Sequence, residues 1–137
     1  MDDPRSLLRR QEEALNAHDV DALADCFDEN LESNDLVHPS QTFRGREQVR
    51  QNWALMIQNV PDLKAELRDC AVAGDTVWGE WRIYGTRRDG HMLDLRGVVI
   101  SQVRDGRIVA SRRYLAPLDV SAQSVDDYFR GLVEPSA

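Results

Sequence analysis

The sequence predicts an α+β domain in which three N-terminal helices pack in a strongly curved antiparallel sheet, followed by an extra C-terminal helix. Two observations carry that expectation. Up to Asn59 the apolar residues recur mainly at helical spacing, whereas from Pro61 to about residue 116 the period falls to two, the mark of consecutive strands. Gly-containing turn pairs divide that second stretch, and a helical period returns over residues 124–133.

Residues 5–18 place Leu7, Leu8, Ala14 and Leu15 on one stripe among Arg, Gln and Glu, which reads as a first amphipathic helix. Asp19 is placed to accept from the orphan amides of a second helix over residues 20–27, and Asp21 favours the positive end of its dipole. A short strand is expected over residues 33–38, stopped by Pro39. Gly45 then opens a third helix over residues 46–59 that buries Val49, Trp53, Met56 and Ile57, and Pro61 ends it. Four strands follow over residues 63–73, 77–86, 91–104 and 107–116, separated by Gly74-Asp75, Asp89-Gly90 and Asp105-Gly106. The two Asp-Gly pairs suit tight hairpins because Gly tolerates positive φ. Such strands are longer than the usual five or six residues, so the sheet must twist and curl, and Gly97 in mid-strand marks a bend or bulge. Helices stacked on the concave side would close a cone.

The 137 residues, 42% hydrophobic and 30% charged, fit one soluble domain over residues 1–137, with its core over about 7–118 and a helical extension over 119–137. A net charge of −7 repels phosphate backbones and argues against a nucleic-acid partner. No apolar run approaches the ~20 residues of a membrane span, and Met1-Asp2-Asp3-Pro4 is acidic where a signal peptide would be basic, so a cytoplasmic location without membrane contact is expected. Cys26 and Cys70 lack metal-ligand spacing and read as two buried free thiols; the three histidines are scattered, and no metal site is expected.

Several segments carry a family likeness in order: residues 16–23 (NAHDVDAL), His38-Pro39, residues 45–50 (GREQVR), Pro61-Asp62, Gly74-Asp75, Gly85-Thr86, residues 104–109 (RDGRIV) and Arg113-Tyr114-Leu115. With this element order the chain resembles the NTF2-like superfamily, specifically its SnoaL-like branch, from about residue 7 to residue 118. The resemblance implies a cone with one deep pocket, a homodimer through the outer sheet face, and chemistry without metal or organic cofactor, carried by a few polar side chains in an apolar cavity. It leaves the reaction open, because the fold hosts isomerases, cyclases, hydrolases, dehydratases and non-enzymatic binders.

Alternation in the second long strand separates Trp78, Glu80, Arg82 and Tyr84 from Val77, Gly79, Trp81 and Ile83. A plain amphipathic reading buries the second set and leaves Glu80 and Arg82 as a surface pair. The resemblance favours the first set as cavity-facing. Limonene-epoxide-hydrolase-like relatives use an acid, a base and an arginine at positions that fall here on Glu80, Arg82 and Arg113. The charges differ from that pattern, so epoxide hydrolysis is not expected, and what remains is one carboxylate with two guanidiniums suited to a carboxylate or enolate oxygen. A buried salt-bridge network of the same three residues is the competing reading.

Polyketide cyclase and ketosteroid isomerase relatives carry an acidic base near a strand end, where this chain has Arg113 and Ala116. Asp35 is then the remaining acid, placed on the cavity side with Val37 by alternation, or else capping its strand. His38, expected at the pocket mouth, suits proton transfer or serves as a locally bonded loop residue. His18 is expected to help close the first helix and His91 to be exposed. Trp53 and Met56 read as both core and cavity wall, joined by Trp78, Tyr84, Leu95, Val99 and Leu115 as ligand-binding residues. The expected function is a pocket protein for a small hydrophobic ligand bearing an anionic or carbonyl group. Its chemistry would be isomerisation or cyclisation by proton transfer, with Glu80 or Asp35 as base and Arg82 and Arg113 stabilising the enolate. The alternative is a non-catalytic binding or dimerisation module.

Overall fold

Asp3 opens the first helix by accepting from the Arg5 amide at 3.0 Å, in a computed structural model that describes residues 3–135. α1 spans Pro4–Asn16 and α2 spans Val20–Ala24, capped by Asp19, whose carboxylate accepts from the Ala22 amide at 3.0 Å. β1 (Phe27–Asp35) follows, then one 3-10 turn (Pro39–Gln41), β2 (Phe43–Arg44), α3 (Arg46–Asn59), β3 (Lys64–Ala73), β4 (Thr76–Thr86), β5 (Met92–Arg104), β6 (Arg107–Pro117) and α4 (Val125–Val133). The strands form one curved sheet in the order β2-β1-β6-β5-β4-β3. Its joins are antiparallel except β1 with β6, which is parallel.

Helix two is shorter than its pattern predicts and the first strand starts six residues earlier, at Phe27. The Cys26 carbonyl accepts from Ile108 N–H at 2.9 Å, which draws the chain into the sheet where Cys26 and Phe27 would have continued a helix. β1 ends at Asp35 because its side chain accepts from the amides of Val37 (3.1 Å) and His38 (2.8 Å), a side-chain turn that replaces further strand pairing.

The core lies between α1, α2, α3 and the concave sheet face, and includes Leu8, Leu15, Leu31, Val49, Leu63, Val77, Trp81 and Ile108. α1 packs along β3 and β4 and also finishes the hydrogen bonding of edge strand β3. Asn16 donates to the Ala65 carbonyl at 2.9 Å and accepts from the Ala65 amide at 2.8 Å, while the Glu12 carboxylate accepts from Leu67 N–H at 2.6 Å. These side chains occupy the place of a neighbouring strand and protect the edge. His18, at positive φ just after α1, donates from Nε2 to the Leu63 carbonyl at 2.9 Å, so it ties the corner to β3.

Gly97 is a close approach with no inserted residue, since it stays in register with Trp81 and Leu115. Its φ is +153°, and a Cβ there would lie 1.8 Å from the Tyr114 carbonyl oxygen. Asp105 and Gly106 both take positive φ, as a tight hairpin turn requires. Cys26 is buried and Cys70 only partly so, which corrects the expectation of two buried thiols; both are free. α4 forms with Ser124 as its cap, yet its apolar residues Tyr128, Phe129 and Leu132 stay exposed. No helix among the described residues is long and apolar enough to cross a membrane. Asn16→Ala leaves both Ala65 backbone groups without partners; unfolding in urea is expected to show a loss of about 2 kcal/mol.

Candidate functional site

The sheet register decides which side chains face inward. Paired residues share a face, and Trp81 pairs with Gly97, Gly97 with Leu115, Val99 with Arg113, and Arg113 with Asp35. Over residues 31–35, 81–83, 95–101 and 111–115 the odd-numbered side chains therefore look together toward α1 and α3, onto a cavity of about 490 Å³. Trp81, Ile83, Leu95, Val99 and Leu115 supply its sheet wall, and Trp53 and Met56 of α3 supply part of its roof. Such a hollow accommodates an apolar molecule of ring size.

One corner is charged. Parallel pairing of β1 with β6 sets Asp35 beside Arg113, and the turn after Asp35 brings His38 back to the same corner. Asp35 is 5% exposed. Its Oδ1 accepts from both turn amides and lies 3.4 Å from His38 Nδ1. The His38 amide contributes most to holding the carboxyl below its ordinary value; burial opposes this, and the Val37 amide and the charges of His38 and Arg113 assist. The carboxylate is thus kept ionised. Arg113 donates from Nη2 to the Gln41 carbonyl at 2.7 Å and lies over the Phe43 ring at 5.0 Å, which fixes its plane. Burial lowers its pKa while Asp35 raises it, and its Nε is buried with no hydrogen-bond partner among the described residues.

The family model for the SnoaL-like domain matches residues 8–111. The chain belongs to the SnoaL-like family. No curated protein matches the sequence. Wild-type IdmH from Streptomyces antibioticus, a candidate polyketide cyclase, is 24% identical with a TM-score of 0.72, over 83% of this chain and 92% of that one. A candidate SnoaL-like polyketide cyclase from Jannaschia sp. CCS1 is 18% identical with a TM-score of 0.68 over 99% of each chain. A protein of ketosteroid isomerase-like fold from Catenulispora acidiphila, solved with trimethylamine, is 18% identical with a TM-score of 0.68, over 79% of this chain and 83% of that one. These likenesses establish the NTF2-like fold.

In this SnoaL-like domain, Asp35, His38, Arg113, Trp53, Met56, Leu95, Val99 and Leu115 all border the cavity. Glu80, Arg82, Trp78 and Tyr84 do not, and their expected placement is corrected: they lie on the outer face of β4, with Trp78 46% exposed. β4 is plainly amphipathic, with Val77, Gly79, Trp81 and Ile83 buried. Even-numbered β4 and odd-numbered β5 residues cannot share a face when Trp81 pairs with Gly97. Val37 likewise points away, being exposed. Gln11, Ser33, Ser101 and Ser111, which the sequence pattern does not single out, are all buried and all border the cavity. Polar residues on otherwise apolar faces were the available signal.

On the outer face Asp94 accepts from two arginine forks, Arg96 at 3.1 and 3.2 Å and Arg82 at 3.4 and 3.1 Å, and Arg82 lies over the Tyr84 ring at 4.1 Å. The hydrogen bonds from Arg96, then Arg82, lower the Asp94 carboxyl to about 2. Its folded value is below its unfolded one near ~4, so its contribution to stability is complete above ~4 and is lost as pH falls through about 2. Asp94→Asn removes that term. Its melting temperature is expected to fall less steeply than that of the parent between about pH 4 and about pH 2 in a calorimetric pH series.

Proposed function

We infer that the protein binds a small, largely apolar, carbonyl-bearing molecule in the cavity and catalyses proton transfer on it. The observation that carries this reading is the meeting of a carboxylate, an imidazole and a guanidinium at one corner of an otherwise apolar hollow. The family's fold and its cyclase-like and isomerase-like neighbours agree with it. The roles follow from the partners each group has. Asp35 is committed to amides and to the His38 ring, so it orients the imidazole and balances its charge. His38, half exposed at the cavity rim, has its other ring nitrogen for substrate.

His38 takes a proton from the carbon beside the carbonyl, and the electron pair moves onto the carbonyl oxygen. Arg113 stabilises that oxyanion in a setting from which much water is excluded. Where the ligand carries a carbon–carbon double bond one carbon further along, the enolate is a dienolate; the imidazolium returns the proton to its far carbon and the double bond moves into conjugation with the carbonyl, which is isomerisation. Alternatively the enolate carbon attacks a second carbonyl and the new alkoxide takes the proton, which closes a ring. Both routes balance without oxidant or reductant. The lowered Asp35 pKa makes that carboxylate a weak base and leaves the proton transfer to His38. Binding without catalysis is a second reading, favoured by Arg113 and Ala116 standing where relatives carry a strand-end acid.

Deuterium exchange at the α-carbon of 2-tetralone, followed by NMR in D2O, tests the proposal. The protein is expected to accelerate exchange over buffer, and His38→Ala to reduce the acceleration roughly 100-fold. No acceleration by the folded protein contradicts catalysis. The proposal extends to a homodimer through the outer sheet face, where Trp78 and Tyr114 stand exposed beside Val98 and the buried Ile100. Light scattering is expected to give twice the 15.6 kDa chain mass, and Trp78→Glu to shift it toward one chain; a parent protein at 15.6 kDa contradicts the dimer.

A further inference from the structure

Two residues before Asp35 and Arg113 on their strands, the same inward face carries Ser33 and Ser111, and Ser111 pairs in turn with Ser101 of β5. Three hydroxyl side chains thus form one row across three adjacent strands, at 1%, 5% and 2% exposure, and all three border the cavity. Within the row Ser111 donates to Ser33 at 3.3 Å. Each hydroxyl offers one proton and accepting lone pairs, so that bond leaves the Ser33 and Ser101 protons for other acceptors.

Gln11 of α1 supplies an independent observation. It is 9% exposed and borders the same cavity. Its Nε2 is buried with no hydrogen-bond partner among the described residues, on a helix face otherwise formed by Leu7, Leu8, Ala14 and Leu15. A purely apolar ligand would leave this amide unsatisfied, and a leucine would serve a purely packing role better. Because no group among the described residues holds the amide, it can turn to present either its donor or its acceptor.

We propose that Ser33, Ser101, Ser111 and Gln11 form a second polar pole of the cavity, which selects ligands carrying a second oxygen, hydroxyl or carbonyl, at the far side of the ring system from the carbonyl held at the Asp35–Arg113 corner. One strand step of two residues separates the serine row from the Asp35–Arg113 row, a spacing of about 7 Å. That spacing suits oxygens on opposite sides of a fused two-ring skeleton. The ligand class is therefore a dioxygenated, otherwise apolar ring ketone. This inference rests on the reading of the cavity as a carbonyl-ligand site, but not on catalysis there.

The test is calorimetric titration of 2-tetralone and of 6-hydroxy-2-tetralone into the parent protein, Gln11→Leu, Ser111→Ala and Ser101→Ala, with a melting curve for each. The parent is expected to bind the hydroxylated ketone at least tenfold more tightly. In the variants that preference should fall toward unity through weaker binding of the hydroxylated ketone. Should Ser111→Ala fail to fold, Gln11→Leu and Ser101→Ala carry the same comparison. Equal binding of both ketones by the parent, or a preference untouched in every folded variant, overturns the second pole alone. If neither ketone binds, the carbonyl-ligand reading falls and takes this inference with it. A lost preference in the variants, together with unchanged exchange in His38→Ala, supports the pole and refutes the catalytic role of His38.

Discussion

The interior depends on the register that links four strands through the row Asp35, Arg113, Val99 and Gly79. Because side chains alternate across a sheet, a slip of one residue at any join would send that strand's inward set outward. The Asp105-Gly106 turn fixes one of these joins, and Gly97 permits the β5–β6 approach at another point through a backbone contact that no side chain would allow. Above this row lie Leu115 and Trp81; below it lies the serine row. Apolar wall, charged corner and hydroxyl floor are consequences of one alignment.

Polar groups in a sheet interior cost stability unless they are satisfied, about 1–3 kcal/mol for each unpaired group. The chain offsets much of this locally. Asp35 is served by two turn amides, Arg113 by the Gln41 carbonyl and the Phe43 ring, and Ser111 by Ser33. Among the described residues Arg113 Nε and Gln11 Nε2 are left over, and both are in residues that border the cavity. Departures from full satisfaction concentrated at one cavity are what a binding site predicts and what packing alone does not. The outer face contrasts with this, since Arg82, Arg96 and Asp94 satisfy one another there.

Helices α1 and α3, the four long strands and their turns were legible in the sequence because period, caps and Asp-Gly pairs agreed with one another. The start of β1 was not. Its inward positions include Ser33 and Asp35, so it lacks the apolar alternation that announces a strand, and its parallel partner is remote in sequence. The site was half legible. Asp35, His38 and Arg113 could be named from chemistry and family likeness, whereas the choice between Trp81 and Glu80 as inward residues could not be made from β4 alone. Both faces of that strand carry aromatic residues, and the deciding fact is the pairing of Trp81 with Gly97.

The most direct measurement is a crystal structure of the protein soaked with 2-tetralone. The ketone is expected between Trp53 and Trp81 with its oxygen turned to the corner formed by His38 and Arg113. A ketone seated on the outer face beside Glu80 and Arg82, with the hollow beneath α3 filled by side chains, would contradict it.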